Sequence, residues 1–246
     1  MIERHFAKLR ARGVLSPEEE QAIRASVAEI RSVPADTLVV RAFEVQDHST
    51  LLLDGILCRF KDLRNGQRQI TELHVAGDFA DLHSFTLKYL DHDVMSLTPC
   101  RVAIVPHRAL LGLTERYPSL GRSYWFSTNL DASIHREWEL SLGRRSAMAR
   151  VAMLLSEMHQ RLLIVGLADA RGYDLALTQT DIAECTGLTN VSVSRILRDL
   201  REAGAALVGS GRVSILDRDA LWRTAEFDPR YLYLGRLPDD RLAAAR

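Results

Sequence analysis

Residues 186–201 read TGLTNVSVSRILRDLR. Val193, Ile196, Leu197 and Leu200 recur at intervals of three and four, the spacing of one apolar face of an α-helix. Asn190, Val191, Ser194, Arg195 and Arg198 fall on the other face. Arg and Asn together suit the edges of DNA bases, because their forked donors match guanine and adenine. Upstream, LTQTDIAECTG (177–187) carries its own helix signals: Thr178 as an N-cap answered by Asp181, and Gly187 where a helix must close with positive φ. Counting from Gln179, Ala183 is fifth, Gly187 ninth, Val193 fifteenth and Ile196 eighteenth. That is the register of a helix-turn-helix, with a small residue where the second helix crosses the first. The strand-like AALVGSGRVSIL (205–216) follows directly and reads as a two-stranded wing.

Working back toward the N-terminus, the texture changes twice. SPEEEQAIRASVAEI (16–30) opens with a capping-box pattern from Ser16 to Glu19 and reads as a helix. TLVVRAFEV, STLLLDGILCRFKDL, GQRQITELHV and DVMSLTPCRVAIVP then form short Val-, Ile-, Leu- and Thr-rich runs with turn signals such as Asn65-Gly66 between them, which predicts an antiparallel β roll or barrel. Pro118 suits the first turn of a long helix running to about Leu142. On it Leu120, Tyr124, Ser127, Asp131, Ile134 and Trp138 fall at nearly heptad spacing. We assign Leu120, Tyr124, Ile134 and Trp138 to a dimer interface, in preference to packing on the helix's own domain. Gly143-Arg144-Arg145 interrupts the pattern before a further amphipathic helix, SAMARVAMLLSEMHQRL. The organisation is a sensor roll over 1–115, a dimerisation helix over 116–142, a winged helix-turn-helix domain over 143–225 and a tail over 226–246 whose polar, Ala-rich end is expected to be mobile.

The chain has 246 residues, 47% hydrophobic and 26% charged, a globular composition with room for two domains. No apolar run approaches the roughly 20 residues of a membrane helix, and the charged N-terminus is unlike a signal peptide, so a cytoplasmic protein is expected. Cys58, Cys100 and Cys185 are scattered and suggest neither a disulfide framework nor a CxxC metal site. Formal net charge is zero. Any contact with nucleic acid must therefore rest on local positive groups.

The order of roll, long helix and winged helix-turn-helix, together with Gly77-Asp78-Phe79 in the roll and TQTDIAECTGLTNVSVSRILRDLREAG (178–204), resembles the Crp/Fnr family of bacterial transcription regulators. The resemblance covers nearly the whole chain. It implies an α+β fold: an N-terminal double-stranded β-helix (jelly-roll-like) sensor domain, a long dimerisation helix and a C-terminal winged helix-turn-helix domain. It implies a sequence-specific regulator that binds a palindromic site on double-stranded DNA as a homodimer, with RNA polymerase a further partner of an activator. Arg195 aligns with the family's base-reading Arg, Thr189 and Ser192 with phosphate-holding positions, and Arg212 with an often basic wing tip. Ser194 is placed for a base edge or a phosphate, and Thr178, Gln179 and Arg198 join the DNA-facing set. Asn190 has two readings, an adenine contact or a helix cap. Val191 departs from the family, where many members carry a Glu that accepts from cytosine; a thymine methyl is the natural partner of Val.

The sensor residues depart further. After Gly77-Asp78-Phe79, cyclic-nucleotide binders of the family carry a Glu for the ribose and then an Arg for the cyclic phosphate. Here those positions fall near Leu82 or His83 and at Asp91 to Val94, and Lys88 is the sole Lys or Arg between 69 and 100. Control by cyclic AMP or cyclic GMP is not expected. The four clustered Cys of the iron-sulfur relatives are missing as well. No cofactor is predicted; haem, held by His74, His83, His92 or Cys100, is the alternative retained within the family. From other classes, a metal-dependent β-roll enzyme would need clustered ligands, and no HxH, HxxxH or HExxH spacing occurs. A protein-binding module would need large apolar anchors on the second helix, where Asn, Ser and Arg stand instead.

Overall fold

The computed structural model describes residues 2–234. Helices α1 (Glu3–Arg10) and α2 (Pro17–Ser26) lead into strands β1 (Glu29–Val33), β2 (Thr37–Val40), β3 (His48–Asp54), β4 (Ile56–Asp62) and β5 (Arg68–Val75). A short α3 (Ser84–Leu87), β6 (Asp93–Ser96), β7 (Cys100–Pro106) and α4 (His107–Arg116) follow, then the long α5 (Pro118–Arg144). The remainder comprises α6 (Ala147–Ile164), β8 (Ala168–Asp169), β9 (Gly172–Asp174), α7 (Gln179–Thr186), α8 (Asn190–Glu202), β10 (Ala206–Gly209), β11 (Arg212–Ile215) and α9 (Arg218–Ala225), closed by a 3-10 turn at Pro229–Leu232. Residues 235–246, the greater part of the tail expected to be mobile, lie outside the described residues. Among the described residues no helix is long and apolar enough to cross a membrane.

The helix expected over 16–30 begins as anticipated. Ser16 accepts from Glu19 N–H while the Glu19 carboxylate accepts from Ser16 N–H. It stops at Ser26, because Val27 turns extended and 29–33 instead pair with β7 as an edge strand. Helix α1 has no counterpart in the expectations drawn from the sequence. Two of the four predicted strand runs each fold into two strands. Gly55 makes the first break: its φ is +89°, and a Cβ there would stand 2.5 Å from Pro99 O, so the chain can reverse only without a side chain.

The roll is two antiparallel sheets, ordered β1-β7-β3 and β2-β6-β4-β5. Alternation sends Leu52, Val102 and Ile104 of the first and Val40, Leu57 and Val94 of the second into a shared interior. The opposite residues of the first sheet, Leu51, Leu53, Ala103 and Val105, are covered by Phe6 and Leu9 of α1, Leu110 of α4, and Leu120 and Tyr124 of α5. Cys58, Phe60 and Met95 of the second belong to another cluster, which continues through Ile134 and Trp138 into α6 and on to Ile182 of α7 and Val193 of α8. Sensor and helix-turn-helix thus share one apolar core.

Asp78 ties these layers together. Its carboxylate accepts from Lys8 of α1, from Arg161 of α6 at 3.1 Å and from its own-loop Val75 N–H at 3.0 Å. Although burial opposes its charge, the Lys8 and Arg161 cations keep the carboxyl far below the usual range. Nearby His5 is buried against Phe79 and Tyr124 and donates from Nδ1 to Gly77 O at 2.9 Å. Burial pushes its pKa down to about 4.

Two outcomes follow. Asp78→Ala strands two cations and should lower unfolding free energy by about 3 kcal/mol, whereas Asp54→Ala, which removes an exposed partner of Arg4, should change it by less than about 1 kcal/mol; urea titration measures both. His5 stays neutral in the folded protein down to about pH 4, while the unfolded chain takes up that proton near pH 6.5. The unfolded state therefore binds more protons across that window, and the His5 contribution to stability falls as pH falls. His5→Gln should flatten the acid limb of stability against pH by on the order of 1 kcal/mol per pH unit relative to wild type.

Candidate nucleic-acid interface

Thr178 caps α7: its hydroxyl accepts from Asp181 N–H at 3.1 Å, and Asp181 accepts in return from Thr178 N–H at 2.6 Å. Gly187 ends the helix at φ 63°, its N–H bonded to Ala183 O. This left-handed residue lets the chain turn within three residues into α8. There the cap is Thr189, whose hydroxyl accepts from Ser192 N–H at 3.2 Å. Asn190 is the first helical residue and donates from Nδ2 to Thr180 Oγ1 at 3.0 Å, which joins the two helices across the turn. Of its two expected readings, the cap belongs to its neighbour.

Helix α8 buries Val193, Ile196 and Leu200 and exposes the opposite face. Val191 is 80% exposed, as apolar as any residue on that face of α8. Ser194 and Arg195 are exposed beside it, and among the described residues Arg195 forms no ion pair or hydrogen bond. Arg198 lies 3.7 Å from Asp199 and 3.8 Å from Glu202, a loose arrangement at an exposed site. Gln179 is exposed at the start of α7. The wing forms as expected, β10 pairing with β11, and extends through β9 to β8. Arg212, at the wing, is bound at 2.8 Å to Asp174 of β9.

The dimer residues need correction. Leu120, Tyr124, Ile134 and Trp138 are all buried inside the protomer, the first two in the α1/α4 cluster and the others in the shared core. They hold α5 to its own roll and to α6 and are not open to a second copy. The exposed stripe of α5 instead runs through Arg122, Trp125, Asn129, Ala132, Arg136 and Glu139, alternating steps of three and four, with Trp125 70% exposed. Asp131, awkward in an apolar seam, has a partner in the roll.

That partner is Arg59, which sits in the apolar run of β4 and was not singled out from the sequence. It is 2% exposed, directly across the sheet from Glu72 in β5. Its guanidinium donates to Ala80 O at 2.9 Å, to Glu72 at 2.6 Å and to Asp131 of α5 at 2.9 Å. His135 Nε2 of α5 lies 3.0 Å from the same Glu72 carboxylate. Burial opposes all these charges, yet Glu72 is held well below the usual range by Arg59. Burial, followed by the Glu72 charge, pushes the Asp131 carboxyl up to about 7. These groups flank a cleft of about 860 Å³ between β4, β5 and α5, lined also by Lys61, His83, His92, Trp138 and Leu142.

A cyclic phosphate does not fit these residues. The two cations lining the cleft are both engaged, Arg59 as above and Lys61 with Asp91 at 2.7 Å, while Asp91, Asp131 and Glu139 add negative charge. Of the residues considered for haem, His83 and His92 face the cleft. Burial and then the Arg59 charge push His83 down to about 3. His74 and Cys100 are buried elsewhere, Cys100 bonded to Ile56 O and Thr98 O. Among the described residues no group of three or more His, Cys, Asp or Glu is arranged to hold a metal ion.

Comparison with known proteins agrees with this architecture. The cyclic nucleotide-binding domain model matches residues 30–117 and the Crp-like helix-turn-helix domain model matches 149–224. The nitrogen fixation regulation protein FixK of Bradyrhizobium diazoefficiens is 32% identical over 168 residues, 68% of this chain and 69% of the relative. The transcriptional activator protein FnrL of Cereibacter sphaeroides is 27% identical over 81% of each chain. The solved structure of FixK2 from Bradyrhizobium japonicum superposes with a TM-score of 0.73 at 27% identity, covering 80% of this chain and 97% of that one. With a sensor roll joined to a capped, Arg-bearing helix-turn-helix, and with relatives matched along both, the chain belongs to the Crp/Fnr family of DNA-binding transcription regulators.

Proposed function

We propose that this regulator binds an inverted-repeat operator as a homodimer, without a cyclic nucleotide, and reads each half-site with Arg195 and Val191. The observation that carries the reading is the outer face of α8, where an unpartnered Arg195 and an 80% exposed Val191 stand side by side on a helix whose other face is locked into the core. A guanidinium fork matches O6 and N7 of guanine, and an isopropyl group matches a thymine methyl. Thr178, Gln179, Thr189, Ser192, Ser194 and Arg198 surround that face and serve as its phosphate and sugar contacts. Arg212 would have to exchange Asp174 for a phosphate to contribute. Asn190, tied to Thr180, acts through the turn and not on a base.

Dimerisation belongs to the open stripe of α5. Trp125 and Ala132 supply its apolar contacts, and Asn129 between them is the kind of polar residue that fixes the register of paired helices. The ion cluster of Arg59, Glu72 and Asp131 supports independence from cyclic nucleotides, since it holds α5 to the roll with the chain's own charges. The relative named as a transcriptional activator supports RNA polymerase as a further partner.

Selection from a random duplex library by purified protein, with no ligand added, tests the reading; an enriched inverted repeat is expected, and its absence in folded protein would overturn it. Arg195→Ala should weaken the selected site by roughly 10- to 100-fold at constant salt, and Val191→Glu should move preference from thymine toward cytosine at one base pair of each half-site. Trp125→Glu should give a monomer by sedimentation that retains half-site binding and loses preference for the repeat.

A further inference from the structure

The C-terminal end of α7 is held by side chains from outside the helix-turn-helix. Gln69 of β5 donates from Nε2 to Glu184 O at 2.7 Å, and the same nitrogen lies 3.4 Å from Cys185 O and 2.8 Å from Ile70 O of its own strand. Arg150 of α6 donates to Thr186 O at 3.2 Å. The last carbonyls of a helix lack partners within it and form the negative end of its dipole, so such donors are well matched to them. The turn beyond rests on the same support: a Cβ at Gly187 would stand 3.3 Å from Leu142 at the end of α5 and 3.8 Å from Gln69 Oε1. Between β5 and α7 the contact is otherwise the apolar cluster that includes Cys58, Ile70 and Cys185, beside the attraction of Arg68 for Glu184, while the Arg161–Asp78 pair ties α6 to the roll further along. Apolar burial is not directional. The Gln69 amide supplies a fixed direction at this junction.

We propose that Gln69 is a positioning residue for DNA recognition, anchoring α7 to the sensor roll and so setting the separation and angle of the two recognition helices in the dimer. The inference rests on the dimeric reading above. Helix α5 connects the two protomers in that reading and packs against the roll; α8 is joined to α7 by the Gly187 turn. Any play between β5 and α7 is carried to α8, and from there to the distance between half-sites, a geometric property of the dimer. Base preference within one half-site depends on α8 alone and is untouched.

The test measures affinity of the full-length protein for inverted repeats whose central spacer varies by single base pairs. Wild type should favour one spacer. Gln69→Leu removes the donor, and Gln69→Glu sets a carboxylate against two carbonyls; both should reduce discrimination against neighbouring spacers by about tenfold, the worth of one directed hydrogen bond. Gln69→Lys, which keeps a donor at the helix terminus, should retain it. Affinity for a single half-site, and the bases preferred there, should be the same in all four proteins. An unchanged spacer profile in Gln69→Leu and Gln69→Glu overturns the proposal and leaves the dimeric reading intact. Loss of half-site binding by both would make Gln69 a folding residue and overturns it equally. A wild type with no favoured spacer overturns the dimeric reading, and the proposal with it.

Discussion

Three separate stretches of chain meet at Asp78. The first helix reaches it with Lys8, the helix after the long α5 reaches it with Arg161, and the roll supplies the carboxylate itself. Apolar layers alone could slide across one another; a buried carboxylate that must satisfy two cations admits far fewer arrangements. The contact also propagates. Arg161 pairs at 3.2 Å with Glu157, whose other oxygen accepts from Trp138 at 3.1 Å and Tyr231 at 2.6 Å. A single chain of charges and hydrogen bonds thus runs from the N-terminal helix to the final 3-10 turn. Buried networks of this kind contribute more to fixing one arrangement than to net stability, which suits a protein whose two functional halves must keep a defined relation.

The Arg59 cluster plays the corresponding part for α5. Glu72 and Asp131 share one guanidinium; Arg59 holds Glu72 well below the usual range, while burial and then the Glu72 charge raise the carboxyl of Asp131, the one carried on the helix. Its inward face therefore holds the helix by charge at its centre and by Leu120, Tyr124, Ile134 and Trp138 on either side, while the outward stripe stays open. The inward face carries four large apolar groups and the outward stripe Trp125 alone, and this explains why periodicity pointed to the inward one. Spacing along a helix identifies a face; it does not say whether the neighbour is the chain's own sheet or another copy.

What was legible in the sequence is what is local. The capping boxes at Ser16 and Thr178, the left-handed Gly187, and the apolar stripe of α8 all depend on residues within a few positions of one another, and each formed as expected. Arg59 depends on partners 13 and 72 positions away, and a lone Arg in ILCRFKD reads as a strand edge. One signal was available: strict alternation puts Arg59 on the same face as buried Leu57, where an unpaired charge cannot remain. Strand β1 was hidden for the opposite reason. It is exposed along nearly its whole length, so it lacks the alternation that marks a half-buried strand.

Of the cations around the recognition helix, Arg212 is bound to Asp174, Arg198 lies loosely beside Asp199 and Glu202, and Arg195 faces outward. Arg212 must give up Asp174 before it can neutralise a phosphate, and the chain as a whole has no net charge to draw it toward a polyanion. Counterion release supplies nearly all the free energy with which a protein binds random DNA. With no net charge behind it, the proposed complex draws on the local cations of its recognition helix alone for that contribution.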